Sequence, residues 1–113
     1  MLDILTLWQK TVKKAIEYLN KVAGMNDEAF SNLAKFKIAM IYLKNNDKEQ
    51  AIKVLKEIVS GKSLVMKDVS LFELAKITEN KEEARKYYEE IISKFPDSAI
   101  VEEAKEALKN LSN

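Results

Sequence analysis

The chain has 113 residues, of which 47% are hydrophobic and 33% charged, a balance typical of one folded globular domain. Its 19 Lys and Arg residues face 18 Asp and Glu residues with the two signs interspersed, so we expect no nucleic-acid-binding patch. Because cysteine and histidine are absent, disulfides, Cys–His pairs, Ser–His–Asp triads and the usual zinc sites are excluded.

Apolar residues recur three and four positions apart and almost never alternate, which predicts an all-α chain of about six helices. No stretch reaches the roughly 20 apolar residues that a membrane-spanning helix needs. The apolar start at residues 2–8 is broken by Asp3 and lacks a basic leader. We therefore expect no membrane insertion by this chain. It would be soluble and cytoplasmic by default, or extracytoplasmic and membrane-tethered if an anchor has been removed before Met1.

Polar and helix-breaking residues divide the chain into the predicted helices, the first of which covers residues 3–23. The breaks that end helices are Gly24, Asn45, Gly61 and Pro96. The residues predicted to cap the later helices are, in chain order, Asn26 or Asp27, Asp47, Ser63, Asn80, and Asp97 or Ser98. The predicted inward face of the second helix consists of Phe30, Leu33, Ala34, Ile38, Ile41 and Tyr42.

A short pattern with a small residue in a fixed position occurs three times, at Ala15, Ala51 and Ala84. These alanines stand 36 and 33 residues apart, which is the period of a helical-hairpin repeat. We expect each of them to be a close contact point between successive hairpins in an open, curved stack. Tyr18 and Tyr87 hold equivalent positions, where packing between hairpins explains them better than stacking on nucleic-acid bases.

The middle and last units resemble tetratricopeptide repeats. The matching residues are Ile38, Ala39, Tyr42, Ala51 and Leu55 in the middle unit, and Ala84, Tyr88 and Pro96 in the last. The resemblance implies an α-α superhelix of stacked antiparallel helical hairpins, formed by residues 1–113 as a single domain. Its parts would be a half repeat at 3–24, repeats at 27–61 and 63–96, and a capping helix at 97–112.

Three features depart from the family pattern, one of which is that no proline closes the middle repeat after Ala51. Lys35 stands where the first helix of a repeat usually has tryptophan. If Leu74-Ala75 matches Ile38-Ala39, the fourth helix or its loop is about one turn short. Residues 31–78 also resemble, more narrowly, the soluble domain of the membrane-anchored tetratricopeptide protein that is an ancillary subunit of the bacterial Sec translocon. That resemblance implies an extracytoplasmic domain tethered by a helix before Met1.

In the tetratricopeptide family the first helix of each repeat, the A helix, lines a concave groove. The resemblance therefore implies an adaptor or scaffold that binds a peptide or protein partner there, with no cofactor. The positions that face or rim the groove are Leu33, Phe36, Lys37, Met40, Leu43, Lys44, Met66, Val69, Glu73 and Lys76. An alternative is that Leu2, Leu5 and Trp8 lie across the groove and make these residues ordinary core.

A second alternative is structural: the exposed apolar ends, especially residues 2–8 of the N-terminal helix, drive self-association into a homodimer or an exchange of the first helix. An enzyme is not expected. The adjacent glutamate pairs along the helices point about 100° apart and cannot converge on one bond. Those pairs are Glu82-Glu83, Glu89-Glu90 and Glu102-Glu103.

Overall fold

The computed structural model of the chain describes residues 4–24 and 27–111, with the backbone alone at positions 4, 5, 7 and 8. These residues form six α-helices and no strand. The helices are α1 Ile4–Ala23, α2 Glu28–Lys44, α3 Lys48–Ser60, α4 Lys67–Ile77, α5 Lys81–Lys94 and α6 Val101–Leu111. Each helix packs against the next one in the chain. The predicted all-α stack of helical hairpins is thus confirmed.

Side-chain caps begin three of the helices where the sequence predicts them. Asp27 Oδ1 accepts hydrogen bonds from the backbone amides of Ala29 (2.9 Å) and Phe30 (3.3 Å) at the start of α2. Asp47 caps α3 and Asn80 caps α5 in the same way. These caps satisfy amides that have no partner within their own helix. Of the two candidates for α2, the cap is therefore Asp27.

The predicted cap of α4 is wrong. The helix begins at Lys67, not after Ser63, and its N-cap residue is Met66, which has a left-handed backbone (φ 62°) and makes no capping bond. The Asn32 side-chain amide donates to the Val65 carbonyl at 3.0 Å, which ties the preceding loop to α2. The loop is therefore held against α2 just before the chain turns into the next helix.

Two hydrophobic clusters follow each other along the stack. The first cluster, between α2, α3 and α4, consists of Ala39, Leu55, Ile58 and Leu74. The second cluster, between α4, α5 and α6, consists of Leu71, Ala75, Ala84, Tyr88, Ile91, Val101 and Ala104. The radius of gyration is 15.6 Å, against about 13 Å for a compact domain of 100 residues. The helices form an open stack rather than a bundle closed around one core.

The three alanines of the sequence pattern differ in their surroundings. Ala51 and Ala84 are buried, at 0% and 3% exposure, where their small side chains let neighbouring helices approach closely. Ala15 is only half-buried and lines a cleft between α1 and α2. The expectation of a tight contact point therefore holds for the second and third alanines, and Ala15 is more open.

The burial pattern relates α4 to α2 at an offset of 36 residues. The pairs at this offset that are buried in both helices are Ala34 and Ser70, Ile38 and Leu74, and Ala39 and Ala75. At this register α2 ends at Lys44, and α4 ends at Ile77, three positions before the equivalent residue. The predicted shortening by about one turn is therefore present at the C-terminal end of α4, which also begins three positions after the equivalent of Glu28.

The inward face predicted for α2 is wrong at its first two residues. Phe30 is 59% exposed and Leu33 is 40% exposed. Ala34 and Ile38 are buried, and the remaining two predicted residues are half-buried. Because α1 packs against one side of α2 and α3 against another, a third side of the helix is left to solvent. Phe30 and Leu33 lie on that third side.

Candidate functional site

The exposed side of α2 combines apolar and basic residues. Leu33, Lys37, Met40 and Lys44 lie within about 60° of one another around the helix, at 100° per residue. We call these four residues the α2 face. Met40 is half-buried and the other three are exposed. Among the described residues neither Lys37 nor Lys44 forms an ion pair.

The other two predicted groove residues on α2, Phe36 and Leu43, border this face and are half-buried. Phe36 packs against the first cluster, and so does Met40. Both side chains therefore contribute to the core on one side while part of their surface stays accessible. The prediction that Leu2, Leu5 and Trp8 cover these residues, and the predicted self-association through residues 2–8, concern side chains outside the described residues.

The groove positions predicted on and just before α4 form a different kind of surface. Met66, Val69 and Glu73 are half-buried, and Lys76 is exposed. The Lys76 ammonium lies 2.9 Å from Glu73 Oε1 and 5.0 Å from the centre of the Phe72 ring. This ion pair and cation–π contact hold the lysine along the helix. The α4 side is therefore charge-balanced, in contrast to the α2 face.

The sequence analysis aligned the groove positions of α4 with those of α2 at an offset of 33 residues. This alignment left Phe72 out of the predicted groove. At the offset of 36 residues, Phe72, Glu73 and Lys76 are the equivalents of Phe36, Lys37 and Met40. The match of Leu74-Ala75 to Ile38-Ala39 was the signal in the sequence that carried this register. Phe30, next to the α2 face, was also missed, because its helical spacing is the same as that of a core residue.

The tyrosines at equivalent positions on α1 and α5 have different roles. Tyr87 packs against both clusters, and its hydroxyl donates to Glu83 Oε1 at 2.8 Å. Burial and the hydrogen bond to Glu83 raise the pKa of Tyr87 to about 12. Tyr18 is 69% exposed, so its predicted packing between hairpins is wrong. The reason is that no described helix lies on that side of α1.

A cleft of about 200 Å³ separates part of α1 from α2. It is lined by Thr11, Val12, Ala15, Ile41 and Lys44. The cleft opens beside the α2 face, with which it shares Lys44. Among the described residues no group of acidic side chains is arranged to hold a metal ion. None of the described helices is both long and apolar enough to cross a bilayer.

A stack of antiparallel hairpins with an exposed A-helix surface defines a helical repeat protein. The sequence profile of the tetratricopeptide repeat family matches residues 33–60 and 69–98, just over half of the chain, and the protein belongs to this family. Such repeats generally mediate protein–protein interaction and are typically non-enzymatic. Comparison with curated proteins and with solved structures gives no match. No finding supports the narrower resemblance to the ancillary Sec subunit.

Proposed function

We propose that this protein is an adaptor or scaffold domain that binds a peptide or protein partner through the α2 face and the adjoining side of α4. The observation that carries the proposal is the exposure of Leu33 beside Met40 on an A helix of a tetratricopeptide protein. Contiguous apolar residues rimmed by charged ones mark interaction surfaces. The repeats proposed at 27–61 and 63–96 would each supply one helix to this surface.

The chemistry of the surface indicates how a partner would be held. Apolar side chains of the partner would bury Leu33 and the accessible part of Met40, whose flexible thioether adapts to different shapes. Lys37 and Lys44 would face carboxylates at the rim, where opposite charges favour correct orientation and fast association. On α4, Val69 would extend the apolar strip, and the Glu73–Lys76 pair would form its polar border.

The experiment selects binding peptides from a displayed random library on the immobilised full-length chain, and then measures the affinity of the selected peptides. Leu33→Glu combined with Lys37→Glu should weaken binding by about tenfold or more, because it places charge in an apolar contact and reverses a rim charge. The matched control is Leu64→Glu, since Leu64 is 67% exposed but lies in the loop before α4. It should bind like the wild type.

Both substituted positions of the test variant are exposed, so helical circular dichroism and the unfolding midpoint should be unchanged. Phe36 and Met40 are less suitable positions because they also pack against the first cluster. Equal loss of affinity in the test and control variants would contradict the proposal. So would NMR shift changes on peptide addition that map to α3 and α5 rather than α2 and α4.

A further inference from the structure

The half-buried residues at the edge of the first cluster show how one helical hairpin packs against the next. Three half-buried residues from α3, the start of α4 and its last turn pack against this cluster: Val54, Met66 and Ile77. The residues 36 positions earlier, on α1 and α2, are Tyr18, Phe30 and Ile41. Tyr18 is 69% exposed and Phe30 is 59% exposed. Ile41 lines the α1–α2 cleft.

Val54, Met66 and Ile77 pack against a cluster to which α2 contributes Ala39, together with the flanking side chains of Phe36 and Met40. Among the described residues, no helix stands in the same relation to α1 and α2. We call Tyr18, Phe30, Ile41 and the cleft residues Val12 and Ala15 the end surface. By repeat equivalence, the end surface corresponds to the surface at which α2 contributes the small residue Ala39 to the first cluster.

The charges around the end surface are mostly basic, although the Asp27 carboxylate lies 3.3 Å from the Phe30 amide nitrogen and the exposed Glu17 precedes Tyr18. Lys14 is on the same side of α1 as Tyr18, at 100° per residue, and Lys44 lines the cleft from α2. Both are exposed, and neither forms an ion pair among the described residues. Lys37 lies two turns before Lys44 on the α2 face. A helix with acidic residues beside its apolar stripe would complement these three cations.

A second copy of the chain fits this description poorly. Two end surfaces facing each other would bring their lysines together, and like charges disfavour such a contact. The acidic helix of the chain is α6, with Glu102, Glu103 and Glu106 exposed. However, the apolar side of α6 is already used in its own chain: Val101 and Ala104 are buried in the second cluster, and Ala107, Leu108 and Leu111 pack against it.

We infer that the end surface binds an amphipathic helix of another protein, one with a small residue at the centre of its apolar stripe and acidic residues on its flanks. This helix continues the stack at the end opposite to α6. The site lies beside the groove described under the proposed function and goes beyond it. Its key residues, Tyr18 and Phe30, are not part of the α2 face.

The probe is a fluorescein-labelled peptide of residues 28–44, the helix that contributes Ala39 at the equivalent surface, carrying Lys35→Glu, Lys37→Glu and Lys44→Glu. Fluorescence anisotropy with the full-length chain should show saturable binding that weakens as salt increases. Tyr18→Ser combined with Phe30→Ser in the chain should weaken this binding by about tenfold or more. Leu64→Ser removes an equally exposed apolar side chain elsewhere and should leave the binding unchanged.

Two further probes make the result decisive. The peptide with its natural lysines should bind at least several-fold more weakly, and the acidic peptide carrying Ala39→Glu should not bind. Equal binding of the acidic peptide to the Tyr18→Ser/Phe30→Ser and Leu64→Ser variants would overturn the inference, as would equal affinity of the acidic and natural peptides. Sedimentation that shows self-association abolished by Tyr18→Ser/Phe30→Ser would assign the surface to a second copy instead, which also overturns it. Leu33→Glu alone leaves the three cations beside the end surface unchanged and tests the proposed function separately.

Discussion

At the scale of single residues, Ser70 is the position of α4 where hydrogen bonding is least well satisfied. This residue is fully buried, and its hydroxyl has no hydrogen-bond partner among the described residues. A buried polar group without a partner loses its hydration and gains nothing in return. The equivalent position on α2 is Ala34, which is buried with no polar side-chain atom. The α4 position therefore accommodates a methyl group in place of the hydroxymethyl group.

We expect Ser70→Ala to raise the free energy of unfolding by about 1 kcal/mol, because it removes the unpaired hydroxyl while keeping the small size that the site requires. Urea unfolding followed by circular dichroism measures this change. The control is Ser60→Ala, since the Ser60 hydroxyl is exposed and donates to the Glu57 carbonyl. That substitution should not stabilise the chain. A destabilised Ser70→Ala variant would mean that the hydroxyl has a partner, such as a bound water.

At the scale of helices and loops, a carboxylate closes each of the two hairpins. Glu28 Oε1, in the first turn of α2, accepts hydrogen bonds from the amides of Lys62 (2.8 Å) and Ser63 (2.9 Å) after α3. Asp68, in the first turn of α4, accepts a 2.6 Å bond from the Ser98 hydroxyl after α5. In both hairpins the start of the A helix is thereby tied to the loop that follows the second helix.

The glycine that ends α3 serves this contact. Gly61 has φ −79°, a backbone that any residue adopts, so conformational freedom is not the reason for a glycine there. A Cβ atom at this position would lie 2.7 Å from Glu28 Oε1. The position stays small because the carboxylate must approach the loop amides closely.

Hydrogen bonds from Ser63 and Lys62, the Ser63 amide contributing most, lower the pKa of Glu28 below its ordinary value of 4.5. A carboxyl group whose pKa is lower in the folded state contributes stability above its unfolded pKa. That contribution is lost as the pH falls through the folded value. We therefore expect Glu28→Gln to lower the urea midpoint near pH 7 and to have little effect well below pH 4. Measuring the midpoint as a function of pH tests this.

The control for the pH experiment is Glu89→Gln on the exposed side of α5, which should change the midpoint little at any pH. If the difference in urea midpoint between the Glu28→Gln variant and the wild type were independent of pH, the charge of the carboxylate would not be what stabilises the closed loop.

At the scale of the whole molecule, the two ends of the stack are finished differently. At one end α6 buries Val101 and Ala104 in the second cluster and exposes Glu102, Glu103 and Lys105 to solvent. A polar outer face is typical of a terminal helix that ends a repeat stack. At the other end the surface of α1 and α2 keeps apolar side chains accessible. This asymmetry is the basis for placing a partner helix at the α1–α2 end.

We expect Ala104→Glu to lower the free energy of unfolding by about 3 kcal/mol or more, because it forces an unpaired charge into the fully buried contact between α6 and the second cluster. Urea unfolding measures the loss. Lys105→Glu introduces the same side chain at the next, exposed position, where it replaces the partner of Glu102 in an exposed ion pair, and should lower the free energy by no more than about 1 kcal/mol. Similar losses in both variants would show that α6 is not held by the second cluster.

Local pattern alone determined most of the helices and the family. The spacing of Ala51 and Ala84 predicted stacked hairpins, and Asp27, Asp47 and Asn80 were predictable as caps because capping bonds reach only two or three residues along the chain. The sequence predictions failed where contacts between residues far apart in the chain determine the structure. Met66, not Ser63, precedes α4 because Asn32 of another helix holds the loop.

Only the tertiary structure decided which apolar residues are covered. Tyr18 and Phe30 have the same helical spacing as core residues, and their equivalents Val54 and Met66 are packed against a cluster. Periodicity identifies the side of a helix that is apolar, but burial depends on whether a neighbouring helix lies against that side. In a stack, each hairpin is covered by the one before it. The same pattern therefore produces core in the middle of this protein and an accessible surface at its α1–α2 end.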